Sequence, residues 1–166
     1  MKKLLLASLI AMSFNAQADI DILNIGNFDK AEAKIIVGLG SRHFDSVKHE
    51  MLNESNPSVG FEAWDIQAVY VSENSWGKQS LYLTYAPDYE INSYLSIFCN
   101  FGIATGYTCD QSVSNKDYTL TPEYCSDSGI VALPAITMDF HPLANGFALS
   151  LSFTPSAVML SASYPI

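Results

Sequence analysis

The chain has 166 residues, a formal net charge of −9, and 49% hydrophobic against 15% charged residues. That length holds one domain, and the acidic balance excludes the clustered basic surface that a nucleic-acid partner needs. Three cysteines, scattered and without paired histidines, exclude a zinc site, and neither metal nor cofactor is expected.

The chain opens on Lys2 and Lys3, an apolar stretch from Leu4 to Phe14, and Ala16-Gln17-Ala18. A charged start, a short apolar run and a small-x-small site make residues 1–18 a cleaved signal peptide, too short to cross a bilayer as a helix. The mature chain from Asp19 then holds six basic residues against seventeen acids, a charge of −11. Residues 19–32 read as an N-terminal segment ahead of the alternating pattern, and residues 33–166 as one barrel.

Period-two alternation, cut by turn residues, gives eight strands. Ala33 to Phe44 is the first, followed by a polar loop from Asp45 to Asn56. Pro57 to Trp64 and Ile66 to Ser72 pair around Asp65, and Glu73 to Gln79 is the second loop. Ser80 to Tyr89 and Tyr94 to Gly106 make the next pair, and Tyr107 to Ser128 the long third loop. Gly129 to His141 and Phe147 to Thr154 pair around Pro142 and Asn145-Gly146, and Val158 to Ile166 closes the chain. The clearest run is Phe147-Ala148-Leu149-Ser150-Leu151-Ser152-Phe153-Thr154, with large apolar residues on one face and small ones on the other.

Short turns near 65, 91 and 144 and long loops near 50, 76 and 118 are the pattern of an outer-membrane barrel. Only Pro155 to Ala157 is short on the long-loop side. No later apolar run is long enough for a membrane helix, so any membrane form is a closed barrel. The fold expected is an all-β, eight-stranded antiparallel up-and-down barrel of the outer-membrane type. A soluble lipocalin-like barrel, apolar inside, has the same alternation. Tyr70, Tyr82, Tyr85, Tyr89, Tyr94, Tyr107 and Tyr164 fall mostly near strand ends, as interfacial girdles do.

Cys109 and Cys125 bracket a polar stretch and can close the third loop as a disulfide, contributing about 3 kcal/mol. Cys99, within Ile97 to Phe101, reads as a small buried or lipid-facing residue. Glu62 and Asp139 share parity with lumen-side residues and suggest an interior polar network.

Several short motifs recur in one order: Asn53-Glu54-Ser55-Asn56-Pro57 leading into Gly60, Asn74-Ser75-Trp76, Ile103-Ala104-Thr105-Gly106, Leu133-Pro134-Ala135 and Phe153-Thr154-Pro155. In this, residues 33–166 resemble the lipid A palmitoyltransferase (PagP) family. The resemblance implies an eight-stranded barrel in the outer membrane that moves a palmitoyl chain from a phospholipid to lipid A, and a monomer is expected. It places the catalytic histidine at His43, the serine at Ser75, and Asn74 where the family has an aspartate. It matches Pro134 and Pro155 to prolines that break strand pairing and admit lipid sideways.

The family's amphipathic helix before the barrel is not evident in Asp19 to Lys30. Glu73, beside Asn74, is a candidate to substitute for the missing acid, although adjacent residues point differently. His43 shares the parity of Ile35, Val37 and Leu39, which aims it outwards unless the strand ends or bulges first. Acyl transfer needs a proton acceptor near neutral pH, such as His43, and an oxyanion donor, such as Ser75 or backbone amides. His49 lies among loop acids, His141 precedes a periplasmic turn, and Ser41 and Arg42 flank His43. Two readings stand: an acyltransferase acting on phospholipid or lipid A, and a non-catalytic barrel that binds a lipid or hydrophobic ligand.

Overall fold

The computed structural model describes residues 33–115, 117–142 and 146–166. The expected signal peptide and N-terminal segment, residues 1–32, lie outside the described residues, as does part of the turn after Pro142. The described elements are β1 (Lys34–His43), α1 (Ser46–Met51), β2 (Ser58–Ala63), β3 (Ile66–Val71), β4 (Ser80–Tyr85), β5 (Asp88–Asn92) and β6 (Leu95–Ala104). They continue with β7 (Val113–Asn115), β8 (Tyr118–Leu120), β9 (Val131–Ala132), β10 (Ala135–Phe140), β11 (Ala148–Phe153) and β12 (Ala157–Pro165).

Apart from the β7–β8 hairpin, the strands form one antiparallel sheet. β1 pairs with both β2 and β12, and β6 with both β4 and β10, so the sheet closes on itself. Its ten strands make eight staves, because two staves are each broken once by a proline. β4 and β5 keep one register against β6, from Tyr82↔Ala104 through Asp88↔Phe98, with Pro87 supplying no donor between them. β9 and β10 likewise share a register against β6 across Leu133-Pro134. The expected strands are all found, with ends trimmed and these two breaks added. The expected loops hold α1, capped by Asp45, and the β7–β8 hairpin.

The β2–β3 turn uses Trp64 and Asp65, both at positive φ (53° and 60°), the two-residue hairpin geometry that follows the twist of the strands. Short turns gather at this lower end with Lys34 and Pro165. The loops after β1, β3 and β6 gather at the upper end.

Ile35 and Val37 of β1, Phe61 of β2, Leu81 and Leu83 of β4, Phe101 and Ile103 of β6, Phe153 of β11 and Leu160 of β12 all face outwards and are exposed. Inside lie Glu62, Thr84, Ser96, Asn100, Thr137, Asp139, Ser150 and Ser163, all buried. A soluble barrel would place these sets the other way round, so the outside is suited to lipid and the inside to polar contacts. Trp64, Tyr89, Tyr94 and Tyr164 ring the lower end, while Phe44, Tyr70 and Phe153 sit towards the upper end. Cys99 is exposed on the same outer face.

The lower lumen is lined by polar side chains that mostly bond one another, since a buried polar group without a partner costs about 1–3 kcal/mol; Asn100 Oδ1 and Asp139 Oδ1 are buried there without one. Lys34 Nζ donates to Glu62 Oε1 at 2.7 Å, Gln67 Nε2 to Glu62 Oε2 at 2.6 Å, and Thr84 Oγ1 to Gln67 Oε1 at 3.3 Å. On the far wall Asn100 Nδ2 donates to Thr137 Oγ1 at 3.1 Å, which shares a 2.7 Å bond with Ser152 Oγ. Glu62 and Asp139 thus belong to the interior, as their parity suggested.

Candidate functional site at the outer end of the lumen

His43 reaches the site through a defect in β1. Register against β12 runs Gly38↔Ser161 and then Gly40↔Leu160, so Leu39 is one residue too many. Gly40, at φ +154°, adopts a backbone conformation that side-chain-bearing residues rarely take. The bulge reverses parity for the rest of the strand. Ser41 and His43 therefore point inwards and Arg42 outwards, the opposite of what unbroken alternation from Ile35 gives. His43 is only 7% exposed and pairs with Ala157.

The carboxylate at His43 is Glu54, not the neighbour of Asn74. Glu54 Oε1 accepts the His43 backbone N–H at 2.7 Å and lies 3.4 Å from its Nδ1. Glu54 Oε2 lies 2.7 Å from His49 Nδ1, and the Glu54 carbonyl accepts the Ser41 N–H at 2.9 Å. Partial burial raises the Glu54 carboxyl, but the contacts with His43 and His49 outweigh it and hold the group below the ordinary carboxylate value. Sequence reading missed this pairing because it depends on the β1–β2 loop folding back along β1. The only local hint was an acid inside the Asn53 to Pro57 motif.

That motif sews two loops together. The Asn53 N–H donates to Ser75 O at 3.1 Å, and Asn56 Nδ2 to Glu73 O at 3.2 Å and Asn53 O at 3.2 Å. The Asn56 side chain also accepts from Ser41 Oγ.

Asn74 is wholly buried and uses its whole carboxamide. Its Oδ1 accepts the N–H groups of Trp76 and Lys78 at 2.8 and 3.0 Å. Its Nδ2 donates to Ser80 Oγ at 2.8 Å and Gly106 O at 3.2 Å. Asn74 therefore builds the β3–β4 loop and fastens it to the end of β6, and it does not line the cavity. Ser75, half-buried, does. Glu73 is exposed and meets the site only through its carbonyl.

The cavity, about 220 Å³, occupies the upper lumen and has His43, Ser75 and Trp76 on its wall. Ile36, Val69, Val71, Tyr82, Val131 and Met159 make it apolar, and Gln67, Thr84 and Asn100 bound it below. Tyr82 and Tyr107 share a 3.0 Å hydroxyl bond, and burial pushes the Tyr107 hydroxyl above its ordinary value, keeping it neutral.

A flap covers the mouth. Cys109 and Cys125 are joined by a disulfide with Cα atoms 5.0 Å apart, and the loop they close carries β7 and β8. Leu120, Pro122 and Tyr124 of this loop line the cavity. Lys48 of α1 pairs with Glu123 at 2.6 Å.

The prolines differ in role. Pro134 lies in the break between β9 and β10, where the Leu133 N–H still reaches Gly102 O at 2.8 Å. Pro155 sits in the turn between β11 and β12 and interrupts no pairing, since the Phe44 N–H bonds Ser156 O at 3.1 Å. Both line the cavity. His141 is remote, its Nε2 3.3 Å from Ser96 Oγ at the lower end.

Closed pairing, an apolar exterior and a polar lumen define the class: an eight-stranded β-barrel of the outer-membrane type. No family model matches the chain, and no curated protein matches it. Among solved structures it is similar to the Yersinia pestis outer membrane protein Ail. The backbone structure of Ail in a phospholipid bilayer nanodisc is 16% identical, covering 82% of this chain and 100% of that one, with a TM-score of 0.46. The crystal structure of Ail, the attachment invasion locus protein, in complex with the heparin analogue sucrose octasulfate is 17% identical, covering 82% and 99%, with a TM-score of 0.43.

Proposed function

We propose that this protein resides in the outer membrane and holds one apolar chain of a lipid in the upper half of its lumen. The observation that carries this reading is the division of the lumen into a bonded polar floor and an apolar cavity above it. An alkyl chain entering from above loses water against Ile36, Val69, Val71 and Met159, a gain of about 0.8 kcal/mol per buried CH₂. The polar floor stops it, because there an alkyl end would displace bonded groups. The test has two parts. Cell fractionation should recover the protein from outer membranes with heat-modifiable gel mobility. Native mass spectrometry of the detergent-purified protein should find one palmitate bound, and Val69→Trp should abolish it. A soluble periplasmic monomer, or a barrel that never retains palmitate, sinks the reading.

A second reading, acyl transfer from phospholipid to lipid A, is favoured by one arrangement: His43 and Ser75 line this same cavity, and Glu54 faces the His43 Nδ1. His43 Nε2 would take the proton of an acceptor hydroxyl as its oxygen attacks the ester carbonyl. It would then return that proton to the departing alkoxide, while Ser75 or nearby backbone N–H groups stabilise the oxyanion. Purified protein given phospholipid and lipid A, and assayed by mass spectrometry of lipid A, decides between transfer and binding alone.

A further inference from the structure

The β1 bulge marks the outer wall as well as the lumen. Beside it runs a shallow groove lined by Leu39, Gly40, Leu151, Val158 and Leu160, with Arg42 at its upper end. Arg42 is opposite Val158, and Gly40 opposite Leu160, on the outward face. Gly40 has no side chain to fill the groove.

Arg42 is the chain's single arginine, is exposed, and its guanidinium has no hydrogen-bond or ion-pair partner among the described residues. An unpaired guanidinium directly above an apolar groove, at the strand end where a bilayer's headgroups begin, matches a molecule with an anionic head and an alkyl tail. Glu54 also borders the groove, but its carboxylate is engaged by His43 and His49.

We propose that this groove is a binding site for a phosphate-bearing membrane lipid, with the phosphate on Arg42 and an acyl chain along Leu151, Val158 and Leu160. The site rests on the membrane reading above and lies on the outer side of the wall it shares with the lumen cavity, Gly40, Ser41, Met159 and Leu160 bordering both. Guanidinium meets phosphate with two parallel N–H···O bonds, a geometry that lysine does not offer.

The probes are dipalmitoyl phosphatidic acid and dipalmitoylglycerol, which share their chains and differ by the phosphate. Equal amounts are offered to the protein in non-ionic micelles, and retention is read by native mass spectrometry. The wild-type protein should retain phosphatidic acid over the diacylglycerol by about tenfold, the effect of roughly one charge-assisted bond. Arg42→Gln should abolish that preference, and Leu151→Ser should weaken retention of both lipids. Val69→Trp, which fills the lumen, should leave the preference intact. An undiminished preference for phosphatidic acid in Arg42→Gln overturns the site, as does loss of phosphatidic acid in Val69→Trp, which would assign the lipid to the lumen. Displacement by excess inorganic phosphate without any tail dependence reduces it to an anion site and also overturns it. Absence of heat-modifiable mobility would instead sink the membrane reading.

Discussion

His43 is held to Glu54 twice, by its backbone N–H at 2.7 Å and by Nδ1 at 3.4 Å from the same oxygen. One carboxylate therefore fixes both the end of β1 and the ring it carries. On the acyl-transfer reading, His43→Ala should lower the rate by about 100- to 10,000-fold, the range for a general acid–base group. Glu54→Gln should lower kcat by a smaller factor and leave KM nearly unchanged. Both variants should keep heat-modifiable mobility. Unchanged transfer in His43→Ala would remove the histidine from the chemistry.

Asn74→Asp should destabilise the barrel. A carboxylate keeps the bonds from Trp76 and Lys78 but cannot donate to Ser80 Oγ or Gly106 O, and it sets an anion against that carbonyl. The expected loss is about 1–3 kcal/mol, read by urea unfolding in micelles through tryptophan fluorescence. The family resemblance suggests the reverse, that the acid found at this position in the family would raise the rate of transfer. A rise in transfer rate with stability intact would reinstate that view.

Non-reducing peptide mapping should recover Cys109 linked to Cys125, with Cys99 free. Replacing both loop cysteines by serine should cost about 3 kcal/mol and speed proteolysis between residues 107 and 130. A lipid-soluble maleimide should label Cys99 in membranes, and a charged, water-soluble one should not. Labelling by the charged reagent would move Cys99 off the lipid-facing wall.

The Glu54 carboxyl titrates below its ordinary value, so its charged form is the one favoured by folding. The stabilisation is complete above the unfolded carboxyl's pKa and is lost as pH falls through the lower, folded value. Protection of the His43 amide from hydrogen exchange, relative to its intrinsic rate, should therefore fall on acidification below about pH 4. Glu54→Gln should flatten that dependence. An unaltered profile in this variant would mean that another group holds the loop.

Much of the barrel was legible because a strand's period of two survives in Phe147 to Thr154, Ile97 to Phe101 and Val158 to Ile166. Which face meets lipid was not, since alternation has the same period in either sense. Only Glu62, Gln67, Asn100 and Thr137, bonded within one closed lumen, decide it. The site was less legible for a related reason. A single extra residue at Leu39 inverts the orientation of His43, and its acid arrives from eleven residues away by a loop folding back. Likewise, Asn74 and Ser75 look like one functional unit in sequence. In the fold, the first is consumed by turn bonds and only the second lines the cavity.

The packed polar floor has a consequence for permeability. Lys34, Glu62, Gln67 and Thr84 on one wall, with Asn100, Thr137 and Ser152 on another, occupy the width that eight staves leave for side chains. In planar bilayers the protein should give no stepwise ionic current, and cells making it in quantity should be no more sensitive to small hydrophilic antibiotics. On that expectation the cavity above the floor is a pocket closed from below, and the lumen is not a path for conduction.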